Sequence, residues 1–371
     1  MKIGFLHKVN TTPPRSGGSV HTYQVSTYLA RQGHKLFALE NELGSHFARR
    51  FPRSISGLLG LIKESDLLYV RIDGRLGWEV SQLLDVHKPV VWEVNASLEE
   101  FGAQSGSVRW RDRLGAPLRH LGAKHVSAAL CVSQPLMEYA QDLGVERTLL
   151  VPNGSDPQLF HPNTKDPACY PGLENQFRVL WAGSTEYSWH DFGIVLRCAE
   201  RLLLEDPGVS FVILGNCPEW ITYPLPSNIH FIPPVPYQEV PAYFASAHVG
   251  LCLYHPISWS KYGFFFSPLK LFDYAASGVP VLYSNVPELA RVAEDFGLPI
   301  GIGDGDDLAE KILHLKRNSA LKEQLGKQGR QAVTNYYNWE RVGQQTEEIL
   351  SALVGNTPIP TPQQKARSGI V

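Results

Sequence analysis

Apolar residues occur along the chain in short runs of strand length, separated by longer segments in which apolar and polar positions recur with helical spacing. Buried strands that alternate with amphipathic helices are typical of a parallel sheet with crossover helices. The first series of such segments predicts strands at 2–7, 35–39, 67–71, 89–93, 128–132 and 148–151, and helices at 20–31, 76–86, 107–124 and 134–143.

A second series of the same kind starts at residue 177. It predicts strands at 177–183, 209–215, 229–233, 249–253, 280–284 and 298–302, and helices at 191–205, 238–246, 267–277, 286–295 and 306–334. The segment between the two series, 151–176, is rich in Pro, Asn, Asp and Gly, as linkers are. We therefore predict an α/β protein with two Rossmann-like domains that face each other across a cleft.

The same pattern predicts where the domains begin and end. We expect an N-terminal domain at 1–160 and a C-terminal domain at 161–338. An amphipathic segment at 339–353 predicts a last helix, which could pack back on the N-terminal domain. The closing stretch 355–371 has few residues to bury and is predicted to be disordered. A length of 371 residues supports two domains, because single hydrophobic cores stop growing below this size.

Charge and composition narrow the classes of function. The formal net charge of −2 gives no general attraction to nucleic acid. Residues 1–160 carry a net charge of +3 and the remainder −5, so the first half is better suited to approach an anionic surface. The five cysteines are scattered, which predicts reduced thiols. The chain has no run of 18 apolar residues and no signal-peptide core, so we expect a cytoplasmic protein.

The first candidate for ligand binding is the turn before the first predicted helix, which contains Gly17 and Gly18. Two adjacent glycines at a helix N-terminus allow a ligand to approach the backbone and present free N–H groups to an anion such as a diphosphate. A flexible turn is the alternative. The segment is not GxGxxG, so a nicotinamide-dependent dehydrogenase is poorly supported.

The second candidate is SPLKLFDYAASGVPV, which starts at Ser267. Ser267 and the proline after it are suited to begin a helix, and Gly278 is suited to end it. Lys270 and Asp273 lie three residues apart and therefore on the same side of that helix. The lysine could meet a phosphate, and the carboxylate could accept hydrogen bonds from ribose hydroxyls. A solvated salt bridge between the two is the alternative.

The third candidate is WEVNASLEE, directly after a predicted strand. Ligands in open α/β folds bind at the carboxyl ends of parallel strands. Glu93 and Asn95 could therefore hydrogen-bond the hydroxyls of a sugar or an acceptor. Alternatively, Glu93 is a charge at the end of a strand and Asn95 forms a turn.

The motifs together resemble family 4 glycosyltransferases. SPLKLFDYAASGVPV is similar to the nucleotide-binding segment of that family, which usually has Glu where this chain has Asp273. Other similar segments occur in the family's order: GG with His21 in the first loop, GHKL at 33–36, CVSQPLMEYAQDLGV at 131–145, PNGSDPQLFHP at 152–162 and LWAGS at 180–184. The resemblance extends over roughly residues 1–350.

The resemblance implies the GT-B fold and the transfer of a sugar from a nucleoside diphosphate to a glycan, lipid-linked or small-molecule acceptor, with retention of configuration. It implies no cofactor and no metal, and it assigns the acceptor to the N-terminal half and the donor to the C-terminal half. Carried over by position, the donor would be bound by Gly17, Gly18, Gly183, Ser184, Ser267, Leu269, Lys270 and Asp273. The catalytic candidates would be Glu93, Asn95, His21 and Lys270.

The chain departs from the family pattern at two places. Phe265 occupies the position of a second Glu, and the loop GSTEYSWHDFG has neither the usual Arg nor the usual Lys. The missing positive charge could come from Lys270, Lys261, Arg15 or a protonated His190. Two alternatives to a transferase therefore stay open: a sugar-nucleotide epimerase of related fold, and a sugar-nucleotide-binding protein with weak catalysis.

Residues 107–125 carry five Lys/Arg and one Asp, with Trp110, Leu114, Leu118 and Leu121 at helical spacing. A basic amphipathic helix of this kind could rest on anionic lipid, which would give a peripheral membrane contact. We favour the other interpretation, an ordinary surface helix whose apolar stripe packs on the sheet.

Overall fold

The structure, a computed structural model, describes residues 1–6, 17–40, 46–72, 85, 87–100 and 110–362, with only the backbone described at 17–19 and 110–116. The strands are β1 (Lys2–Leu6), β2 (Lys35–Leu39), β3 (Arg49–Phe51), β4 (Leu67–Ile72), β5 (Val90–Val94), β6 (Ala128–Cys131), β7 (Thr148–Leu150), β8 (Phe177–Ala182), β9 (Val209–Leu214), β10 (Ile229–Ile232), β11 (Val249–Cys252), β12 (Val281–Ser284) and β13 (Gly297–Ile300). The helices are α1 (Gly17–Arg31), α2 (Ile55–Glu64), α3 (Trp110–Ala123), α4 (Gln134–Leu143), α5 (Phe192–Glu205), α6 (Val240–Ser246), α7 (Leu269–Ala276), α8 (Pro287–Ala293), α9 (Gly305–Arg317), α10 (Ser319–Asn335) and α11 (Trp339–Val354).

The strands form two separate parallel sheets. The first has the order β3-β2-β1-β4-β5-β6-β7, and the second has the order β10-β9-β8-β11-β12-β13. In the first sheet Ile3 of β1 pairs with Leu36 of β2 and with Leu67 of β4. The strand order reverses beside β1 in one sheet and beside β8 in the other. Ligand sites in open α/β sheets lie at the carboxyl ends of strands at such reversals.

The chain divides into two compact units, each built around one sheet. The first contains Met1–Asn153, Ser258–Ser267 and Trp339–Gln364, and the second contains Gly154–Ile257 and Pro268–Asn338. The last helix, α11, packs on α1 in the first unit, where a Cβ added to Gly343 would come within 2.2 Å of the Tyr28 ring. The prediction of two Rossmann-like α/β domains is confirmed.

Most predicted elements are present, but some differ from the structure. The strand β3 was not predicted, because RRF is too short and too charged to show a strand pattern. The helix α2 was not predicted either. The single helix predicted at 306–334 is two helices. Asn318 ends α9, and its side chain accepts a hydrogen bond from the Leu321 N–H (3.0 Å), so it also begins α10. The helix predicted at 76–86 lies almost entirely outside the described residues.

The favoured interpretation of the basic segment 107–125 is contradicted for the two leucines of the stripe whose side chains the structure describes. Leu118 and Leu121 of α3 are 48% and 49% exposed, so this part of the predicted stripe does not pack on the sheet. The side that is buried carries Arg119 and Ala123 instead. The periodicity identified a helix but not its inward side, because Pro117 lies inside the helix and small residues occupy the contact with the core.

Candidate functional site

Helix α7 lies beside the central strands of the second unit and carries Lys270 and Asp273. It begins at Leu269, with Pro268 in the capping position and no side-chain cap, so the prediction that Ser267 caps this helix is wrong. Ser267 belongs to the first unit, where its Oγ accepts the Asn153 N–H (3.2 Å) and its carbonyl accepts the Asn153 Nδ2 (2.7 Å). The proline after Ser267 disfavours helical geometry at that residue.

The ammonium group of Lys270 is buried and has no hydrogen-bond partner among the described residues. It lies 4.6 Å from the ring centroid of Trp181 and 5.9 Å from that of Tyr254. The lysine and Asp273 form no ion pair in this part of the structure, so the alternative of a solvated salt bridge is wrong. Two aromatic rings stabilise a cation much less than a carboxylate would.

Burial lowers the pKa of Lys270 to about 8, with only a small opposing effect from Cys252. A lysine at this pKa is still largely charged at neutral pH, and it is held away from water without a fixed anion beside it. Such an arrangement is costly for the folded protein, and strongly perturbed groups of this kind are concentrated at functional sites. The charge of this lysine suits an anionic ligand.

Gly183 follows β8 and lies close to this ammonium group. Its φ of +107° favours glycine, and a Cβ added there would lie 3.7 Å from Nζ of Lys270. Its N–H donates to the carbonyl of Leu214 (3.1 Å), so this amide is already paired within the sheet, and donor binding by Gly183 stays a prediction. Because Gly183 has no side chain, the position next to the Lys270 ammonium group stays open. The backbone carbonyl oxygen of Ser184 accepts a hydrogen bond from Nδ1 of His190 (2.7 Å).

Two residues that could replace the missing positive charge have surroundings that disfavour this role. Burial, followed by the charge of Lys270, lowers the pKa of His190 to about 3, so its ring is neutral at physiological pH. Lys261 lies in the first unit and pairs with Asp142 (2.5 Å). Arg15 lies outside the described residues. Within the described part of the chain, Lys270 is therefore the cation that this site offers.

Asp273 lies one turn after Lys270 and contacts a residue of the predicted linker. One of its oxygens, Oδ1, accepts a hydrogen bond from the Ser155 hydroxyl (2.6 Å). Burial raises the pKa of Asp273 to about 7, the Ser155 hydrogen bond lowers it, and the charge of Asp156 raises it. The carboxyl group can thus be ionised near neutral pH, and both of its oxygens are then hydrogen-bond acceptors.

The catalytic candidates of the first unit form one buried polar cluster. Glu93 is 1% exposed, and its Oε1 accepts Nη1 of Arg71 (2.7 Å) and Nδ2 of Asn95. Nε2 of His21 lies 3.6 Å from the same oxygen, and Nδ1 of His21 lies 2.6 Å from Oδ1 of Asn153. Sequence analysis predicted three members of this cluster. It missed Arg71 and Asn153, although Asn153 lies in the quoted PNGSDP motif.

Electrostatics keep this carboxylate charged. Burial alone would raise the pKa of Glu93, but the charges of His21 and Arg71 and the hydrogen bonds of Tyr69 and Asn95 hold it below its usual value. Its second oxygen, Oε2, is buried as well. Glu93 is therefore a charged carboxylate enclosed by polar groups of the first unit.

The other predicted positions lie as follows. Gly17 and Gly18 are the first two residues of α1, and first-turn N–H groups have no acceptor within a helix. Leu269 is the first residue of α7. Phe265, at the position of the family's second Glu, is fully buried in the core of the first unit. No group of three or more His, Cys, Asp or Glu side chains in the described ranges could hold a metal ion.

Comparison with known proteins bears on the class of enzyme. Residues 194–348 match the family model described as "Glycosyl transferase-like". This match agrees with the fold and with the site geometry. The chain is a glycosyltransferase of the GT-B fold. A direct sequence comparison with curated proteins gave no significant match.

Solved structures of the same fold include several with UDP or a UDP-sugar bound. The glycosyltransferase is similar to sucrose-phosphate synthase from Thermosynechococcus elongatus, with 18% identity, a TM-score of 0.69 and coverage of 96% of this chain and 100% of the other. It is similar to Anabaena Alr3699/HepE in complex with UDP and glucose, with 15% identity, a TM-score of 0.67 and coverage of 95% and 100%.

A third structure of this fold belongs to a protein of a different class. A Listeria monocytogenes protein proposed to be a UDP-N-acetylglucosamine 2-epimerase has 11% identity, a TM-score of 0.60 and coverage of 98% of this chain and 99% of its own. At these identities the likeness shows the fold of the glycosyltransferase and not its substrate.

Proposed function

We propose that this glycosyltransferase is a retaining, metal-independent enzyme of the family 4 type, which transfers a sugar from a UDP-sugar to a glycan, lipid-linked or small-molecule acceptor. The observation that carries the proposal is the buried ammonium of Lys270, which has no anion beside it among the described residues. A diphosphate supplies that anion.

The chemistry of transfer gives this lysine its role. The acceptor oxygen forms a bond to the anomeric carbon while the bond from that carbon to the diphosphate breaks, so negative charge grows on the departing phosphate. A cation already fixed in a site of low polarity stabilises that charge without reorganisation. Lys270 is also the second residue of α7, where free backbone N–H groups and the helix dipole favour an anion.

Asp273 supports a nucleotide rather than a simple phosphate as the ligand. Its carboxyl group lies one helical turn beyond the lysine and can accept hydrogen bonds from ribose hydroxyls. Uridine is the base we propose because solved structures of this fold hold UDP or UDP-glucose. In the first unit, Glu93, Asn95 and His21 are the residues that we propose to serve the acceptor side of the reaction.

We expect UDP to stabilise the protein against heat, because a ligand that binds only the folded state shifts unfolding. At a UDP concentration one hundred times its dissociation constant, the stabilisation is about 2.7 kcal/mol. A thermal-shift titration with UDP, GDP, ADP and uridine measures this effect. Uridine, which lacks phosphates, is the control and should produce little shift, as should the Lys270→Met variant with UDP. If no nucleoside diphosphate raises the melting temperature of the folded protein, the proposal is wrong.

A sugar-nucleotide epimerase is the second candidate, because a protein proposed to have that activity shares the fold. A third candidate is a sugar-nucleotide-binding protein with weak catalysis, because the neutral ring of His190 does not supply the positive charge that the departing diphosphate needs. Product analysis after incubation with UDP-glucose separates them. Hydrolysis of the donor to UDP and glucose without added acceptor identifies a transferase, and an intact epimerised donor identifies an epimerase. Unchanged donor at full occupancy identifies a binding protein. Turnover in EDTA tests metal independence.

Peripheral membrane contact is a further part of the proposal. The exposed Leu118 and Leu121 of α3 lie next to Lys124 and His125, which are also exposed. None of the described helices is long and apolar enough to cross a bilayer. A leucine pair with adjacent basic residues can insert shallowly into an anionic surface.

We expect the protein to co-sediment with liposomes that contain anionic lipid, and the double variant Leu118→Gln/Leu121→Gln to lose most of that binding. The reason is the lost burial of two leucine side chains, each of about 1.5–3 kcal/mol when complete. Liposomes of neutral lipid and the variant Leu204→Gln, which changes a leucine of the second unit that is 87% exposed, are the controls. Equal binding of the double variant and the unaltered protein would remove α3 from any membrane surface.

A further inference from the structure

Ser155 is a buried residue of the second unit that sequence analysis left within the predicted linker. Its side chain is 0% exposed, and its hydroxyl donates to Oδ1 of Asp273 (2.6 Å). Asp273 has no other side-chain hydrogen bond within the described residues. One carboxylate oxygen is thus held by the protein, and the other remains available.

The backbone around Ser155 is fixed by neighbours distant in the sequence. Its N–H donates to the carbonyl of Tyr337 (3.0 Å), and it forms a parallel bridge with Asn338. A Cβ added to Gly154 would lie 2.8 Å from the backbone of Asn338, so this close approach requires glycine. The backbone that carries the Ser155 hydroxyl is therefore held in place, and a residue that orients another side chain needs such a fixed position.

The charges around Asp273 work against its ionisation. Burial and the charge of Asp156 raise the pKa of Asp273, and burial followed by the charges of Asp273 and Asp156 raises the pKa of the half-buried Tyr237. Arg330, from α10, donates hydrogen bonds to the carbonyls of Phe160 and Ala276 (both 2.8 Å). The Ser155 hydroxyl is the contact that favours the ionised carboxylate, because it donates a hydrogen bond to it.

We propose that Ser155 is a positioning residue, which anchors one oxygen of Asp273 so that the other can accept hydrogen bonds from the ribose of the donor. This inference rests on the proposed function for its ligand. The contact itself can be tested without any ligand. Loss of the hydroxyl shifts the titration of Asp273 to higher pH and weakens donor binding near neutral pH.

The first experiment follows the carboxyl carbon of Asp273 by NMR in protein labelled at aspartate, with the resonance assigned from its loss in Asp273→Asn. We expect a midpoint near pH 7 in the unaltered protein, a higher midpoint in Ser155→Ala and a restored midpoint in Ser155→Thr. Asp156→Asn removes the like charge and keeps the Oδ1 that accepts from Gln158 and Leu159, so it should lower the midpoint.

The second experiment measures UDP binding by calorimetry between pH 6 and 8.5. We expect Ser155→Ala to bind UDP about tenfold more weakly at pH 7, since a hydrogen bond to a charged group is lost, and the deficit to shrink toward pH 8. Ser277→Ala is the matched control, because Ser277 is buried at the end of α7 and its hydroxyl has no partner among the described residues.

The outcomes distinguish the two proposals. An unchanged midpoint and unchanged UDP affinity in folded Ser155→Ala would overturn the role of Ser155. A shifted midpoint in a protein that does not bind UDP would support the contact and reject the proposed donor. If Ser155→Ala does not fold, Ser155→Thr and Ser155→Cys, which keep a group at the same atom position, give the comparison.

Discussion

Replacing Lys270 by methionine is expected to lower kcat/KM by about a hundredfold or more, the usual effect of removing one fixed group that stabilises charge in the transition state. The same variant should unfold at a higher temperature near pH 7, because methionine fills a similar space and carries no buried charge. Lower activity together with higher stability indicates a residue that is retained for function. Steady-state kinetics and thermal unfolding measure the two effects.

The gain in stability should depend on pH. Burial lowers the pKa of Lys270 to about 8 in the folded protein, below the usual value near 10.5, so the unfolded chain binds more protons between these two values. The unaltered protein therefore recovers stability as the pH rises through 8, and the advantage of Lys270→Met shrinks there.

Lys322→Met is the control for this experiment. Its ammonium lies 5.7 Å from the Phe177 ring, outside the proposed donor site. We expect unchanged kinetics in this variant. Normal turnover in Lys270→Met would remove the lysine from the site and with it the main support for the proposed function.

Replacing Glu93 by leucine is expected to destabilise the first unit by about 3–5 kcal/mol, the usual cost of leaving one partner of a buried ion pair behind. Arg71 would lose the carboxylate that it contacts at 2.7 Å. Urea unfolding followed by intrinsic tryptophan fluorescence, to which the buried Trp92 of the first unit contributes, measures the change. Because the folded-state pKa of Glu93 is lowered, the ion pair stabilises the protein above the unfolded pKa, and this contribution is lost as the pH falls through the folded value.

The double variant Arg71→Met/Glu93→Leu gives the control. Replacement of a whole buried ion pair by apolar side chains is often nearly neutral, so we expect most of the lost stability to return. If the double variant also loses turnover while it folds normally, the cluster serves catalysis as well as structure. If Glu93→Leu is as stable as the unaltered protein, the ion pair contributes nothing, which would contradict this account.

The sequence by itself determined the two α/β series, most of the strands and the helix that carries Lys270 and Asp273. Helical and strand periodicities are local properties, and parallel strands buried on both faces show as continuous apolar runs such as FRVLWA. The motif order was sufficient for the enzyme class. Local patterns failed where a short or irregular element was fixed by distant contacts, as in β3 and in the inward side of α3.

Only the tertiary structure decided the chemistry of individual side chains. A pKa depends on burial and on charges from other elements, so no spacing could show that His190 is neutral or that Lys270 has no counter-ion among the described residues. Likewise, Ser155 and Asp273 are 118 residues apart, and Arg71 and Glu93 meet through strand pairing between β4 and β5. The sequence specifies which functional groups are present, and the packing of distant segments sets their charge and their partners.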